Sequence, residues 1–119
     1  MPNLRHLKER LALHESIERD LNASTANWRS SASEEAMHLL WCECSEPLCG
    51  ALLKVSKHEW DAVRADPHRF FVAPGHVDHR IGETVEEGER FWVVEKTDSI
   101  ARNVTERTDP VRHPLPTGE

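Results

Sequence analysis

Three cysteines and one histidine carry the clearest chemistry in the sequence. Cys42, Cys44 and Cys49 fall within eight positions, in the pattern Cys-x-Cys-x4-Cys, and His76 follows 27 positions after the last of them. An odd number of closely spaced cysteines makes a poor disulfide framework. Thiolates and imidazole are ligands that zinc takes in tetrahedral structural sites. The pattern therefore predicts a zinc site of three cysteines and one histidine.

Three other side chains compete with His76 for the fourth ligand position. His79 is the close competitor, three residues further on, whereas His58 and Asp78 are weaker candidates. His76 is favoured because it directly follows a Pro-Gly pair, which is typical of a tight turn that could aim the imidazole at the cysteines. Two other interpretations of the cysteines stay open, namely buried or reactive thiols without a metal, and a different metal or cluster.

Short apolar segments on both sides of the cysteines predict the strands that position them. Residues 37–42 lead into the cysteine cluster and residues 51–55 leave it, so the two could form a hairpin around a metal loop. After them, Ser56 and Glu59 make a capping-box pair at the start of a predicted helix over about residues 57–66.

A second hairpin is predicted after His76. Residues 81–86 can pair with residues 90–96 across Glu87-Gly88, where the glycine supplies the positive φ that a tight connection needs. Before it, the largely apolar segment 69–73 runs into the Pro-Gly turn.

The N-terminal segment has the periodicity of an amphipathic helix. Residues 3–22 place apolar side chains three or four positions apart, in two sets: Leu4, Leu7 and Leu11, then Leu13, Ile17 and Leu21. Burial of this stripe is expected to hold the helix, while Glu15 and Arg19 pair on its polar face. We expect the helix to pack partly on the zinc domain and to leave an apolar edge for a protein partner or for self-association.

Composition divides the chain into four segments. These are the amphipathic helix (1–22), a Ser/Ala-rich linker (23–36), the zinc-binding domain (37–96) and a proline-rich tail (97–119) that is expected to be disordered. A domain of about 60 residues is marginally stable unless a metal or another staple supports it. The predicted fold is therefore α+β: a small antiparallel sheet of two hairpins with one short helix, built around the zinc site and preceded by the N-terminal helix.

Charge and motif content exclude several classes of function. The 119 residues include 15 Lys and Arg against 21 Asp and Glu, a formal net charge of −6 that disfavours nucleic-acid binding. No apolar run is long enough for a membrane span and no signal-peptide block is seen, so we expect a cytoplasmic protein. Phosphate-binding loops, nucleophile elbows and His-Glu-x-x-His motifs are missing from the sequence, so we expect no enzymatic activity.

The string WCECSEPLCGALLKVSKHEWDAVRADPHRFFVAPGH, followed by a Val-Val-Glu-Lys strand, resembles a group of short, mostly uncharacterised proteins common in actinobacteria. Those proteins read Cys-x-Cys-x4-Cys, then a helix with a Val-Arg-Ala-Asp-Pro segment, then Val-Ala-Pro-Gly-His. The similarity covers about residues 4–97. It implies that Cys42, Cys44, Cys49 and His76 belong to one site, and it implies no reaction or partner.

Three functions from different classes follow from these features. The leading hypothesis is a small zinc-binding protein with structural zinc that acts as a regulatory or protein-interaction module. The alternative is a thiol-based redox sensor that releases zinc on oxidation. A zinc hydrolase would need an open ligand position and a general base, and a DNA-binding zinc module would need a basic face, so both are less favoured.

Overall fold

The computed structural model describes residues 3–25 and 36–109, which form an α+β fold of three helices and five strands. The predicted fold class is confirmed. In chain order the elements are α1 (Leu4–Thr25), β1 (Met37–Trp41), β2 (Leu52–Ser56), α2 (Lys57–Arg64), β3 (Arg69–Val72), β4 (Gly82–Glu87), β5 (Trp92–Lys96) and α3 (Ser99–Arg107).

The strands form two antiparallel sheets rather than one. β1 and β2 make a two-stranded sheet around the cysteine loop, which confirms the first predicted hairpin. The second sheet has the order β3–β5–β4, and its β4–β5 pair confirms the second predicted hairpin. The predicted connection is wrong: Glu87 belongs to β4, and Gly88 does not have the positive φ that was expected of it. The prediction of two hairpins did not include β3, which pairs with the other side of β5. Phe70, Phe71 and Val72 of β3 are fully buried, as expected of a short apolar run in the middle of a protein.

The main core lies between α2 and the two sheets. The predicted capping box begins α2: Ser56 Oγ accepts from the backbone N–H of Glu59 at 3.1 Å, and Glu59 Oε1 accepts from the backbone N–H of Ser56 at 2.9 Å. The helix then buries Trp60, which stacks on Phe71 with ring centroids 6.1 Å apart. Phe71 in turn meets the edge of Phe91 at 5.2 Å. Side chains of β1 and β2 complete this core, so it joins both sheets.

Helix α1 buries a polar face. Its fully buried residues recur every three or four positions and are mostly polar or charged: Ala12, Glu15, Ser16, Arg19 and Asn22. The apolar stripe is less buried, because Leu7 and Leu11 are half-buried while Leu4, Leu13, Ile17 and Leu21 are exposed. The prediction that burial of the stripe holds the helix is therefore wrong.

The buried polar groups of α1 find partners far along the chain. Glu15 forms an ion pair with Lys96 of β5 instead of the predicted pair with Arg19. Burial raises the pKa of Glu15 to about 7, although Lys96 opposes the shift. Arg19 donates hydrogen bonds to the carbonyls of Pro67 at 3.1 Å and Thr105 at 3.3 Å, and to Oγ1 of Thr108 at 3.1 Å.

Helix α3 replaces the first part of the predicted disordered tail, so that prediction is wrong for residues 99–107. The Asp98 side chain caps the helix by accepting from the N–H groups of Ile100 and Ala101, at 2.9 and 3.1 Å. Ala101 and Val104 then pack against Ala12 of α1 and Ile81. This burial against a distant helix supplies the stability that the local composition lacks.

Two predicted segments lie partly or wholly outside the described residues. The first residues of the predicted linker, through Thr25, belong to α1, and residues 26–35 are not described. Residues 110–119 of the predicted tail are likewise outside the described part of the chain.

Candidate metal centre

The structure brings together the four residues that the sequence singled out. One ligand atom each from Cys42, Cys44, Cys49 and His76 lies within 4.8 Å of all the others. Within residues 3–25 and 36–109 no second group of such ligands is found. Cys42 and Cys44 are buried, Cys49 is half-buried and His76 is exposed, so the site lies just beneath the surface.

The three cysteines are positioned by the loop of the β1–β2 hairpin. The backbone N–H of Cys42 donates to the carbonyl of Ala51 at 2.9 Å, which extends the strand pairing by one step beyond β1. The N–H of Cys49 donates to the carbonyl of Glu46 at 3.1 Å and closes a turn that returns the third thiol to the first two. The hairpin loop thus brings the three sulfurs close together.

His76 approaches the three sulfurs from the loop that follows β3 of the other sheet. It follows a turn after β3, in which its backbone N–H donates to the carbonyl of Ala73 at 2.9 Å. Gly75 has φ of +86° in this turn, a conformation that L side chains rarely adopt. Pro74 precedes it at the position where proline favours such a turn, as the sequence predicted. The turn directs Nδ1 of His76 to 3.6 Å from the sulfurs of Cys42 and Cys49.

These separations fit a tetrahedral zinc ion. With Zn–S about 2.3 Å and Zn–N about 2.0–2.1 Å, a tetrahedral angle places a sulfur and a nitrogen about 3.6 Å apart. The two distances from His76 Nδ1, both 3.6 Å, agree with this value. Three soft sulfurs with one imidazole are also the donor set that zinc prefers over harder ions. The four side chains could therefore hold a metal ion.

Hydrogen bonds around the sulfurs already favour a thiolate. The pKa of Cys44 is lowered to about 5, chiefly because the thiol of Cys42 donates to its sulfur, and the N–H of Glu46 adds to this against the effect of burial. The same hydrogen bond, together with burial, raises the pKa of Cys42. The N–H of Ala73 donates to the Cys42 sulfur at 3.1 Å. These hydrogen bonds favour the thiolate of Cys44, and the thiolate is the form that binds metals.

The competing ligand candidates lie outside the group. Nδ1 of His79 is 3.0 Å from Oε2 of Glu83, and both side chains are exposed. His58 is exposed on α2. Asp78 accepts a hydrogen bond from Ser45 Oγ at 2.7 Å, so it ties the cysteine loop to the histidine loop.

Burial would raise the pKa of Asp78, but hydrogen bonds from Arg80 and Ser45 lower it to about 2. The carboxylate therefore stays charged and keeps accepting from the Ser45 hydroxyl.

Sequence reasoning missed Glu43, the residue between the first two cysteines. Its side chain has no exposed surface. It accepts hydrogen bonds from Asn22 Nδ2 at 2.8 Å, Arg64 Nη2 at 3.0 Å and the N–H of Phe71 at 2.9 Å. The Cys-x-Cys spacing could have indicated its burial. When residues 42 and 44 of an extended segment face the metal, the side chain of residue 43 faces the opposite way, into the protein.

Comparisons with protein-family models, curated proteins and solved structures find no match for this chain. In the described part of the chain, no helix is both long enough and apolar enough to pass through a bilayer. The metal centre is therefore the feature from which a function can be argued.

Proposed function

We propose that the protein is a zinc-binding module in which Cys42, Cys44, Cys49 and His76 hold one Zn²⁺. The observation that carries this proposal is the position of His76 Nδ1, 3.6 Å from two of the sulfurs, at the end of a turn that depends on Gly75. Zinc would supply a structural cross-link at this point, joining the β1–β2 loop to the loop after β3.

A structural role fits the ligand count better than a catalytic one. Catalytic zinc sites keep one of the four positions for water or substrate, whereas this site offers four protein ligands. The proposed zinc therefore acts on the fold: it joins the two sheets at the loop end of the β1–β2 hairpin and keeps the cysteine loop in one conformation.

Metal analysis tests the proposal. Protein purified without added zinc is expected to contain one zinc per chain by mass spectrometry of the metal, and Cys44→Ser to lose it. His79→Ala is the matched control, because His79 lies nearby but outside the ligand group, and it should keep the full zinc content. Wild-type protein with three titratable thiols and no bound metal would overturn the proposal.

We further propose that the module pairs with a second copy of the chain through the outer face of α1. Leu13, Ile17 and Leu21 are 46%, 55% and 42% exposed, at four-residue spacing on one side of the helix. Leu13 and Ile17 also line a groove of about 300 Å³ that α1 forms with Ser45 and Pro47 of the cysteine loop. An exposed apolar stripe that borders such a groove is a surface that a two-fold contact could cover.

Charge complementarity supports an antiparallel contact between the two copies. Arg10 is exposed at the N-terminal end of this face, and Glu18 lies half-buried near its C-terminal end, 3.7 Å from His14. An antiparallel crossing places the Arg10 of one copy near the Glu18 of the other.

Light scattering on the full chain tests this contact. Wild-type protein is expected to be dimeric at tens of micromolar, and Ile17→Lys monomeric. Val85→Lys is the matched control, because Val85 is 46% exposed on β4 and takes no part in α1. A monomeric wild type, or a dimer that Ile17→Lys leaves intact, would overturn the self-association and leave a different protein as the partner of this face.

A thiol-based redox sensor is the second candidate, favoured by the partial exposure of Cys49 and the exposure of His76 at the outer side of the centre. Two thiolates and one hydrogen peroxide, with two protons, give a disulfide and two water molecules, and the metal loses two ligands. The structural role predicts slow zinc release at modest peroxide, measured with a chromophoric indicator. Rapid stoichiometric release would place the sensor first.

A further inference from the structure

We propose that Glu43 couples occupancy of the metal centre to the docking of α1. This inference rests on the proposed zinc site. Glu43 and its partner Asn22 are positioning residues in this scheme: neither touches the metal, and both act through the cysteines that flank Glu43. The coupling assigns a role to Asn22, the residue of the buried polar face of α1 that contacts Glu43.

The first step is the place of Glu43 in the chain. Its two neighbours, Cys42 and Cys44, supply two of the four ligand atoms. Its own side chain has no exposed surface and points away from the sulfurs toward Asn22, Arg64 and Phe71. Any movement of the two cysteines must therefore move this carboxylate as well.

The second step is that α1 forms hydrogen bonds to the residues on both sides of Cys42. Asn22 Nδ2 donates to Glu43 Oε2 and to the carbonyl of Trp41, both at 2.8 Å. Asn22 Oδ1 accepts from the N–H of Trp41, also at 2.8 Å. One amide side chain of α1 thus contacts the residue before Cys42 and the residue after it.

The third step is that the other carboxylate oxygen is fixed to the core. Arg64 Nη2 and the N–H of Phe71 both donate to Glu43 Oε1, at 3.0 and 2.9 Å. The N–H of Glu43 donates to the carbonyl of Phe71 at 2.8 Å. The carboxylate therefore has a single position in which all of its partners are satisfied.

The energetic consequence follows from the polar character of this docking. Apolar faces can slide with little loss, whereas buried hydrogen-bonding groups are costly when their partners move away. When the metal leaves, the cysteine loop loses its cross-link, and the Asn22 contacts are no longer held in register. Since coupling is reciprocal, docking of α1 must raise metal affinity by the same factor by which the metal favours docking, typically about 5–150-fold.

Hydrogen exchange on the wild-type full chain provides the first test. Zinc removal by a chelator is expected to speed amide exchange in residues 15–22 at least about fivefold. Strand β4 contains no ligand and lies at the edge of its sheet, so it serves as the internal reference and its exchange should change little. Unchanged exchange in α1 would overturn the coupling, and so would acceleration of α1 only in parallel with β4.

Zinc affinity of variants provides the second test. Asn22→Ala is expected to bind zinc about 5–150-fold more weakly in competition with a chromophoric chelator. Arg5→Ala is the matched control, because the exposed Arg5 pairs with Glu9 within α1 and its loss leaves the contacts that dock the helix in place. It should bind zinc as the wild type does. Equal affinities of Asn22→Ala and wild type would overturn the proposal.

A reversed hydrogen bond distinguishes coupling from general destabilisation. In Glu43→Gln an amide faces the amide of Asn22, and in Asn22→Asp a carboxylate faces that of Glu43, so each single variant should bind zinc more weakly. The double variant Asn22→Asp/Glu43→Gln can form the bond in the opposite direction and should recover part of the affinity. A double variant no better than the weaker single variant would contradict the direct link.

Different results would refute the zinc centre and the coupling. A wild-type protein that binds no zinc refutes the zinc centre itself. A wild-type protein that binds one zinc but shows zinc-independent exchange in α1 refutes only the coupling.

Discussion

Arg19 and Ile17 provide the most direct test of how α1 is held. Arg19 is 1% exposed and Ile17 is 55% exposed, although they lie only two positions apart on the helix. Hydrophobic periodicity alone would make Ile17 the residue that matters for stability. The structure makes the opposite prediction, and Arg19→Ala and Ile17→Ala, which introduce the same side chain, separate the two.

The magnitude follows from the contacts of each side chain. Arg19 donates three hydrogen bonds between 3.1 and 3.3 Å, and its guanidinium lies 5.0 Å from the ring centroid of Phe70. Hydrogen bonds that involve a charged group contribute at least about 1.5 kcal/mol each. Removing a buried charge recovers several kcal/mol of its desolvation cost, so we expect Arg19→Ala to lower the free energy of unfolding by about 2–4 kcal/mol.

Ile17→Ala should cost about 0.5 kcal/mol or less in protein dilute enough to be monomeric. Most of the side chain is in water in the single chain, and alanine favours helix formation. The predicted difference between the two variants is therefore several times larger than the usual error of such measurements.

Urea unfolding followed by tryptophan fluorescence, with zinc in excess, measures both free energies. For a domain of this size the loss in Arg19→Ala corresponds to about 8–15 °C in Tm. A larger loss for Ile17→Ala than for Arg19→Ala would refute the assignment of the buried face of α1.

Three further predictions concern the ligand, a helix cap and pH. His76→Ala should weaken zinc binding by about 100-fold or more in chelator competition, since even outer-shell partners account for 10–100-fold, whereas His79→Ala should have little effect; equal losses would contradict the ligand assignment. Ser56→Ala removes the cap of α2 and should cost about 1 kcal/mol in urea unfolding, and a cost near zero would show that the cap is not needed. The pKa of Glu15 is about 7 in the fold against 4.5 without it. Its contribution to stability is therefore fully present below pH 4.5 and is lost as the pH rises through 7. The stability of wild type relative to Glu15→Gln should fall by about 3 kcal/mol over this range, and parallel pH profiles would contradict it.

The side chains of the candidate metal centre could be predicted from sequence because their chemistry is local. The thiols of Cys42, Cys44 and Cys49 lie on one hairpin loop, and apolar runs on both sides of that loop predict its two strands. The Pro-Gly pair before His76 is likewise a local signal, and it selects His76 over His79. What the sequence cannot show directly is that the two loops meet; here the shared preference for one metal and the resemblance to the actinobacterial proteins were the guides.

The docking of α1 could not be predicted in the same way. Periodicity reports where the apolar side chains of a helix lie, but it does not report which side chains have polar partners elsewhere. Arg19 is buried because carbonyls of Pro67 and Thr105 are there to accept from it, and Glu15 because Lys96 is. Helix α3 was missed for a related reason, since its small apolar face becomes stable only on α1.

The burial of Glu43 also bears on how this chain could diverge. The middle position of Cys-x-Cys is not a free spacer, because Asn22 and Arg64, each 21 residues away along the chain, both donate to its carboxylate. An apolar residue at position 43 would take one acceptor from the Asn22 amide, one from the Arg64 guanidinium and one from the N–H of Phe71. Substitutions at these three positions should therefore be inherited together. A useful sequence signature for the fold is then Cys-Glu-Cys, with an asparagine 21 residues before the glutamate and an arginine 21 residues after it.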